Sequence, residues 1–194
     1  MTIPGLGAVR GVANALAREF RAIPYAAPAV RFAPPAAPLP WGGVRDATAD
    51  GPGCPQNCTE PAGVCPPTTS EDCLLLNVFT PLGATPLSNL PVLIFFHGGA
   101  FRDGFGGGEL YNGTFLATGT RDPAIVVPVS YRLGVFGFLF GTGAANPSGD
   151  DPTGNYGILD QRVRRVIHTV RARRRRPKIQ LTPNPQPFLF TRRQ

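Results

Sequence analysis

The chain has 194 residues, 42% of them hydrophobic, with 24 Gly and 23 Pro, which suits one core with many loops. Its formal charge of +7 belongs to the end of the chain: residues 1–160 carry eight Arg, no Lys and all 12 acidic residues, whereas residues 161–194 carry ten Arg, Lys178 and no acid. A mildly acidic body gives no reason to expect an acidic partner, and no apolar run approaches the ~20 residues of a membrane helix, so no membrane span is expected.

Residues 1–50 read as short strands and turns. Gly7 and Gly11 bracket Ala8-Val9-Arg10 in the manner of a hairpin edge. Pro24 keeps Ile23 in extended or turn backbone, and Pro34, Pro35, Pro38 and Pro40 forbid regular structure up to Trp41. The next stretch holds Cys54, Cys58, Cys65 and Cys73, spaced C-x3-C-x6-C-x7-C. Structural zinc favours tighter C-x2-C pairs, so no metal is expected. An even cluster in a Pro/Gly-rich loop reads as two disulfides with three possible connectivities. Disulfides imply an oxidising compartment, and N-x-[ST] sequons at Asn57 and Asn112 agree with it. The first residues, MTIPGLGAVRG, have no charged stretch before an apolar core, so no signal peptide is expected there.

Leu74 to Phe79 reads as a strand ended by Pro81. Val92 to Phe96 is a continuous apolar run, as expected of a strand covered on both faces. It leads into His97-Gly98-Gly99-Ala100-Phe101 and then Gly104, Gly106, Gly107 and Gly108. Ala124 to Tyr131 reads as a second buried strand, interrupted by Pro128, a residue that belongs on an edge or at a bulge. Strand, long connection, strand points to an α/β architecture with a parallel sheet. Leu159, Val163, Val166, Ile167 and Val170 form one helical stripe, which predicts a helix from about Tyr156 to Arg174, stopped by Pro177. Residues 177–194 hold four prolines and no acid and read as disordered.

Chemistry concentrates at His97-Gly98-Gly99-Ala100. Acyl transfer develops negative charge on a carbonyl oxygen, and backbone N–H groups aimed at that oxygen stabilise it, each donor being worth about 2.7–4 kcal/mol of barrier. Such donors must approach the substrate closely, which Gly and Ala allow, and an HGGG-type loop after a strand supplies them in lipases and esterases. The competing readings are a tight glycine turn with no ligand and a phosphate cradle. The second lacks any G-x-x-x-x-G-K-[ST] pattern.

The surrounding stretches are Ile23-Pro24-Tyr25-Ala26, Arg31-Phe32, Cys54-Pro55-Gln56, Ser70 through Val78, His97 through Phe101, Tyr131 through Phe138 and Gly154 through Gln161. In this order and at nearly this spacing they resemble the type-B carboxylesterases, the cholinesterase-like branch of the α/β-hydrolase fold. The resemblance covers roughly residues 5–162, the first third of the family's domain, and leaves 163–194 as a non-family tail. It implies an incomplete α/β-hydrolase fold, a small-molecule carboxylic ester as substrate, no cofactor, and a secreted or ER-lumenal setting. It further implies that Gly99 and Ala100 donate the oxyanion N–H groups, with His97, Gly98 and Phe101 completing the loop. Cys54 would bridge to Cys73, leaving Cys58 with Cys65, and Arg31 would form a structural ion pair with Glu71. Three features depart from the family: Ala22 stands where Gly is usual, the turn from Ala26 to Arg31 is shortened, and Pro128 occupies what should be an inner strand.

The family's nucleophile is a Ser in G-x-S-x-G, followed along the chain by an acid and then a His. Ser70, Ser88, Ser130 and Ser148 all lack Gly two residues before and two after. His168 sits among arginines with nothing nearby to orient it as a base. No catalytic nucleophile, acid or base is therefore expected within the chain, and residues 1–194 are expected to be an inactive portion of a serine esterase whose strands 92–96 and 124–130 stay uncovered. Some family members are non-catalytic adhesion proteins, which makes a binding role the alternative. The run from Arg171 to Lys178 could hold phosphates, but no aromatic platform accompanies it, so no specific nucleic acid is expected. The loss of all acids after Gln161 also fits an out-of-frame or intron-derived tail.

Overall fold

A computed structural model describes residues 1–59, 63–85, 87–119, 121–140 and 154–162. The strands are β1 (Thr2–Ile3), β2 (Gly7–Arg10), β3 (Val12–Ala13), β4 (Ala17–Pro24), β5 (Val44–Asp46), β6 (Leu75–Pro81), β7 (Val92–Phe96) and β8 (Ile125–Val129). The α-helices are α1 (Thr114–Thr118), α2 (Gly134–Phe138) and α3 (Tyr156–Gln161), and Glu109–Tyr111 form one 3-10 turn. β1, β2 and β5 form a small sheet, and a second sheet has the order β3-β4-β6-β8-β7.

Two sequence expectations change here. β2 does form a hairpin with β1, but as the middle strand of its sheet, parallel to β5 on its other side, and not as an edge. In the larger sheet only β7 and β8 run parallel, while β3-β4, β4-β6 and β6-β8 are antiparallel. The helix expected from Tyr156 is described to Gln161, with Arg162 as its cap; its continuation to Arg174 and the tail lie outside the described residues.

β6 forms the spine, with five buried residues in succession from Leu75 to Phe79. Its neighbour β8 is also buried from Val126 to Val129, so the strand expected to stay uncovered is in fact central. It is central despite Pro128, and the register shows how. Leu76 pairs with Val129 and Phe79 with Val126, which sets Pro128 opposite Asn77, and the ladder skips the two positions between these pairs. The missing N–H therefore costs one bond on the β6 side, while Pro128 still lies beside Phe95 of β7.

β7 is the outer strand, and its apolar run is not covered on both faces. Val92 and Phe96 pack against the core, whereas Leu93, Ile94 and Phe95 are 48, 37 and 42% exposed. A run of five apolar residues reports that a strand is suited to burial; it does not say that the covering element lies within the same stretch of chain.

Ala22 adopts φ +52° at an irregularity in the β4–β6 register between Phe20 and Ile23. Its N–H donates to Asn77 Oδ1 at 2.8 Å. The left-handed region penalises a Cβ, which gives a physical reason for glycine at this position. Ala22→Gly is expected to raise stability by about 1 kcal/mol, read as a higher denaturation midpoint with an unchanged slope. A lower midpoint would show that the Ala methyl packs better than its backbone is strained.

Candidate active site

Three consecutive residues after β7 are left-handed: Gly99 at φ +97°, Ala100 at +52° and Phe101 at +61°. Left-handed Ala and Phe each cost of order 1–3 kcal/mol and persist only where the surroundings enforce them. The enforcement is visible. Arg102 and Asp103 N–H both donate to Gly99 O, at 2.9 and 3.2 Å, and Gly134 N–H donates to Phe101 O at 2.7 Å. Phe101 also lies against Phe138, with ring centroids 4.9 Å apart. Gly99 could carry no side chain, since a Cβ there would overlap the Asp103 carbonyl. The turn leaves Gly98, Gly99 and Ala100 exposed, and among the described residues no group accepts a hydrogen bond from the Gly99 or Ala100 N–H.

His97 lies beneath this turn and is buried. Its ring stacks on Tyr131 at 4.4 Å between centroids, and the Tyr131 hydroxyl donates to His97 O at 2.7 Å. Nδ1 is 2.9 Å from Gly98 O, and a carbonyl can only accept, so Nδ1 carries the proton and Nε2 is left a bare acceptor. That Nε2 is buried without a partner. Burial pushes His97 below its ordinary value, against the raising effects of the Gly98 carbonyl and the Asp103 charge. A His with these contacts shapes the loop and is not placed to take a proton from a nucleophile.

The sign of its pH effect follows. The native state resists protonating His97 while the unfolded chain accepts the proton near pH 6.5. His97 therefore contributes stability that is fully present above about pH 6.5 and is lost as pH falls from there towards the lower folded value. The difference in melting temperature between the native chain and His97→Asn should shrink below about pH 6.5. A constant difference from pH 5 to 8 would contradict it.

The glycine-rich connection after the turn is tied to the sheet by side chains. Gly106 N–H donates to Ser130 Oγ at 2.8 Å, Asn77 Nδ2 donates to Gly106 O at 3.1 Å, and Gly108 N–H donates to Asp50 Oδ2 at 3.1 Å. Arg21 holds Asp50 in turn at 2.8 Å and binds Glu19 at the same distance. Ser130 is buried, and its carbonyl accepts the Tyr25 hydroxyl at 2.7 Å; burial pushes that phenol well above its ordinary value, so it remains a donor. Ser70 Oγ accepts Asp72 N–H, and Ser88 Oγ accepts Thr85 N–H. None of these three serines hydrogen-bonds to His97, whose Nε2 has no partner. Ser148 and His168 lie outside the described residues.

Cys54 is bonded to Cys73 and Cys58 to Cys65. Arg31 and Glu71 form a bidentate pair, with Nη2 to Oε1 at 2.7 Å, on the surface. The pair raises the Arg31 value through hydrogen bonding to Glu71 and lowers that of Glu71 through hydrogen bonding to Arg31. Asn57 is exposed, whereas Asn112 is half-buried, with its Oδ1 accepting Thr114 N–H at 3.0 Å. No group of His, Cys, Asp or Glu among the described residues could hold a metal ion, and no described helix is long and apolar enough to cross a membrane. Reading the sequence missed the roles of Tyr131, Asn77 and Gln56. All three stand in stretches singled out above, but nothing local marks a side chain whose partner is tens of residues away.

A sequence model of the carboxylesterase family matches residues 1–164. The chain is 43% identical over 165 residues to para-nitrobenzyl esterase of Bacillus subtilis (strain 168), across 80% of this chain and 31% of that protein. It is 36% identical over 201 residues to neuroligin-2 of Mus musculus, across 80% of this chain and 23% of that protein. A solved structure of a PNB esterase superposes with a TM-score of 0.73 at 39% identity, covering 88% of this chain and 35% of the other. The mixed sheets match the N-terminal part of the α/β-hydrolase fold of these esterase structures. The chain spans less than a third of the length of the curated relatives it matches.

Proposed function

This chain belongs to the carboxylesterase family, and we propose that its residues 97–101 are the oxyanion-binding part of a carboxylic-ester hydrolase site, with the Gly99 and Ala100 N–H groups as the donors. The observation that carries this reading is the run of three left-handed residues after β7, which leaves those two N–H groups exposed and unpaired among the described residues. No serine of the sequence lies in G-x-S-x-G. Residues 1–194 by themselves therefore bind the developing charge of a tetrahedral intermediate but have no group to form it, and they do not turn over esters. Two disulfides support an oxidising, secretory compartment, where exposed Asn57 is a better glycan acceptor than half-buried Asn112.

Hydrolysis of a para-nitrobenzyl ester tests both parts. Residues 1–194 should give the rate of the buffer blank. A chimera in which residues 1–162 replace the matching part of the Bacillus subtilis esterase should be active, and Gly99→Ala in it should lower kcat by about 10²-fold or more. Turnover by residues 1–194 would sink the first statement, and an unaffected kcat in the variant would sink the second.

The match to neuroligin-2 supports a second reading, a non-catalytic binding protein of the same family. It requires saturable binding of residues 1–194 to a cell surface. It is dropped if binding is absent while the chimera hydrolyses its ester.

A further inference from the structure

Cys54-Pro55-Gln56 has no part in the chemistry described so far, yet Gln56 reaches the turn that carries it. Its Oε1 accepts Gly104 N–H at 2.7 Å, and its Nε2 donates to Gly104 O at 2.8 Å and to Cys54 O at 2.9 Å. A primary amide offers a donor and an acceptor side by side, so one side chain holds both backbone polar atoms of Gly104. Gly104 is where the left-handed turn comes back to the body of the protein. It has φ +107°, and a Cβ there would overlap the His97 ring and lie 3.2 Å from Gly98 O. The preceding residue, Asp103, closes the turn through its N–H to Gly99 O.

The turn thus has two fixed ends. Tyr131 holds the start through His97 O, and Gln56 holds the end through Gly104. Gln56 is itself fixed, two residues after Cys54, whose disulfide to Cys73 is buried just before β6. We propose that Gln56 is a positioning residue for the oxyanion turn: by clamping Gly104 it sets the direction in which the Gly99 and Ala100 N–H groups point. Its chemical meaning rests on the oxyanion reading above, while its geometry stands without it.

The test is 1H–15N NMR and amide exchange of residues 1–194 with Gln56→Met and Gln56→Glu. Met matches the length of Gln but removes every hydrogen bond. Glu keeps an acceptor for Gly104 N–H but points a carboxylate at two carbonyls. With Gln56→Met, the Gly99 and Ala100 amide signals should move, and the Arg102, Asp103 and Gly104 amides should exchange about tenfold faster. Amides of β4, β6 and β8 should keep their shifts and protection. Gln56→Glu should bring the Gly99 and Ala100 signals part of the way back. Unmoved signals would overturn the proposal. So would a loss of structure across the whole chain in both variants, because Gln56 would then serve the fold at large and not this turn. The ester assay with the chimera is independent. A moved turn with no effect of Gly99→Ala would sink the oxyanion reading and leave the clamp, and an unmoved turn would do the reverse.

Discussion

Replacing Arg132 by Ala is expected to cost about 3–5 kcal/mol. Its guanidinium donates to Asp160 from Nε and Nη2, both at 2.8 Å, and its backbone N–H adds a third bond to the same carboxylate at 3.0 Å. Nη1 reaches the carbonyls of Val30 and Ala33, and the group lies over the Tyr156 ring. One side chain thereby joins the proline-rich segment, the exit of β8 and α3. The two side chains are 4 and 0% exposed, so removing the cation leaves a carboxylate buried without its charge partner. The Arg31–Glu71 pair offers the contrast: with 61 and 36% exposure, water screens it and its loss should cost far less. Denaturant melts of Arg132→Ala and Arg31→Ala should differ accordingly, and the double variant Arg132→Met with Asp160→Leu should recover much of the loss. Equal midpoints for the two single variants would contradict the assignment.

Opening the Cys54–Cys73 bridge with paired Ala substitutions is expected to cost about 3 kcal/mol. The bridge closes a separation of 19 residues, and both halves are buried. The Cys58–Cys65 bridge closes a separation of 7 on the half-buried face of the same loop and should cost roughly 2 kcal/mol. The inner bridge should also yield first to a mild reductant, because its sulfurs are within reach of one. Intact-mass measurements after graded reduction and alkylation will show the order. Simultaneous opening would mean that access is controlled by unfolding of the loop as a whole.

Much of the fold was legible in the sequence, for reasons that differ by element. Leu74–Phe79, Val92–Phe96 and Ala124–Tyr131 were found within a residue or two because apolar runs bounded by Pro and polar residues carry a local signal. The turn after β7 was legible because a bare-backbone turn needs Gly and Ala at fixed places. Pairing was not legible. Pro128 argued for an edge, yet β8 is central, since the loss of one ladder bond is outweighed by burial of Val126, Val127 and Val129. The Arg132–Asp160 pair spans 28 residues and Gln56–Gly104 spans 48, and no periodicity reports such distances. Ala22 was visible as a departure from the family, but only its φ shows that the departure is conformational.

The strand order β6-β8-β7 has a consequence for synthesis on the ribosome. β7 leaves the exit tunnel before β8, yet β8 is the strand it hydrogen-bonds to. Its five apolar residues must wait for roughly 30 more to be translated, of order seconds at about 5–20 residues per second. During that interval Val92–Phe96 is a bare adhesive segment, with Pro91 on one side and the His-Gly-Gly turn on the other. The nascent chain should therefore bind a holdase chaperone most strongly while its growing end lies between β7 and β8, and release it once Val129 has emerged.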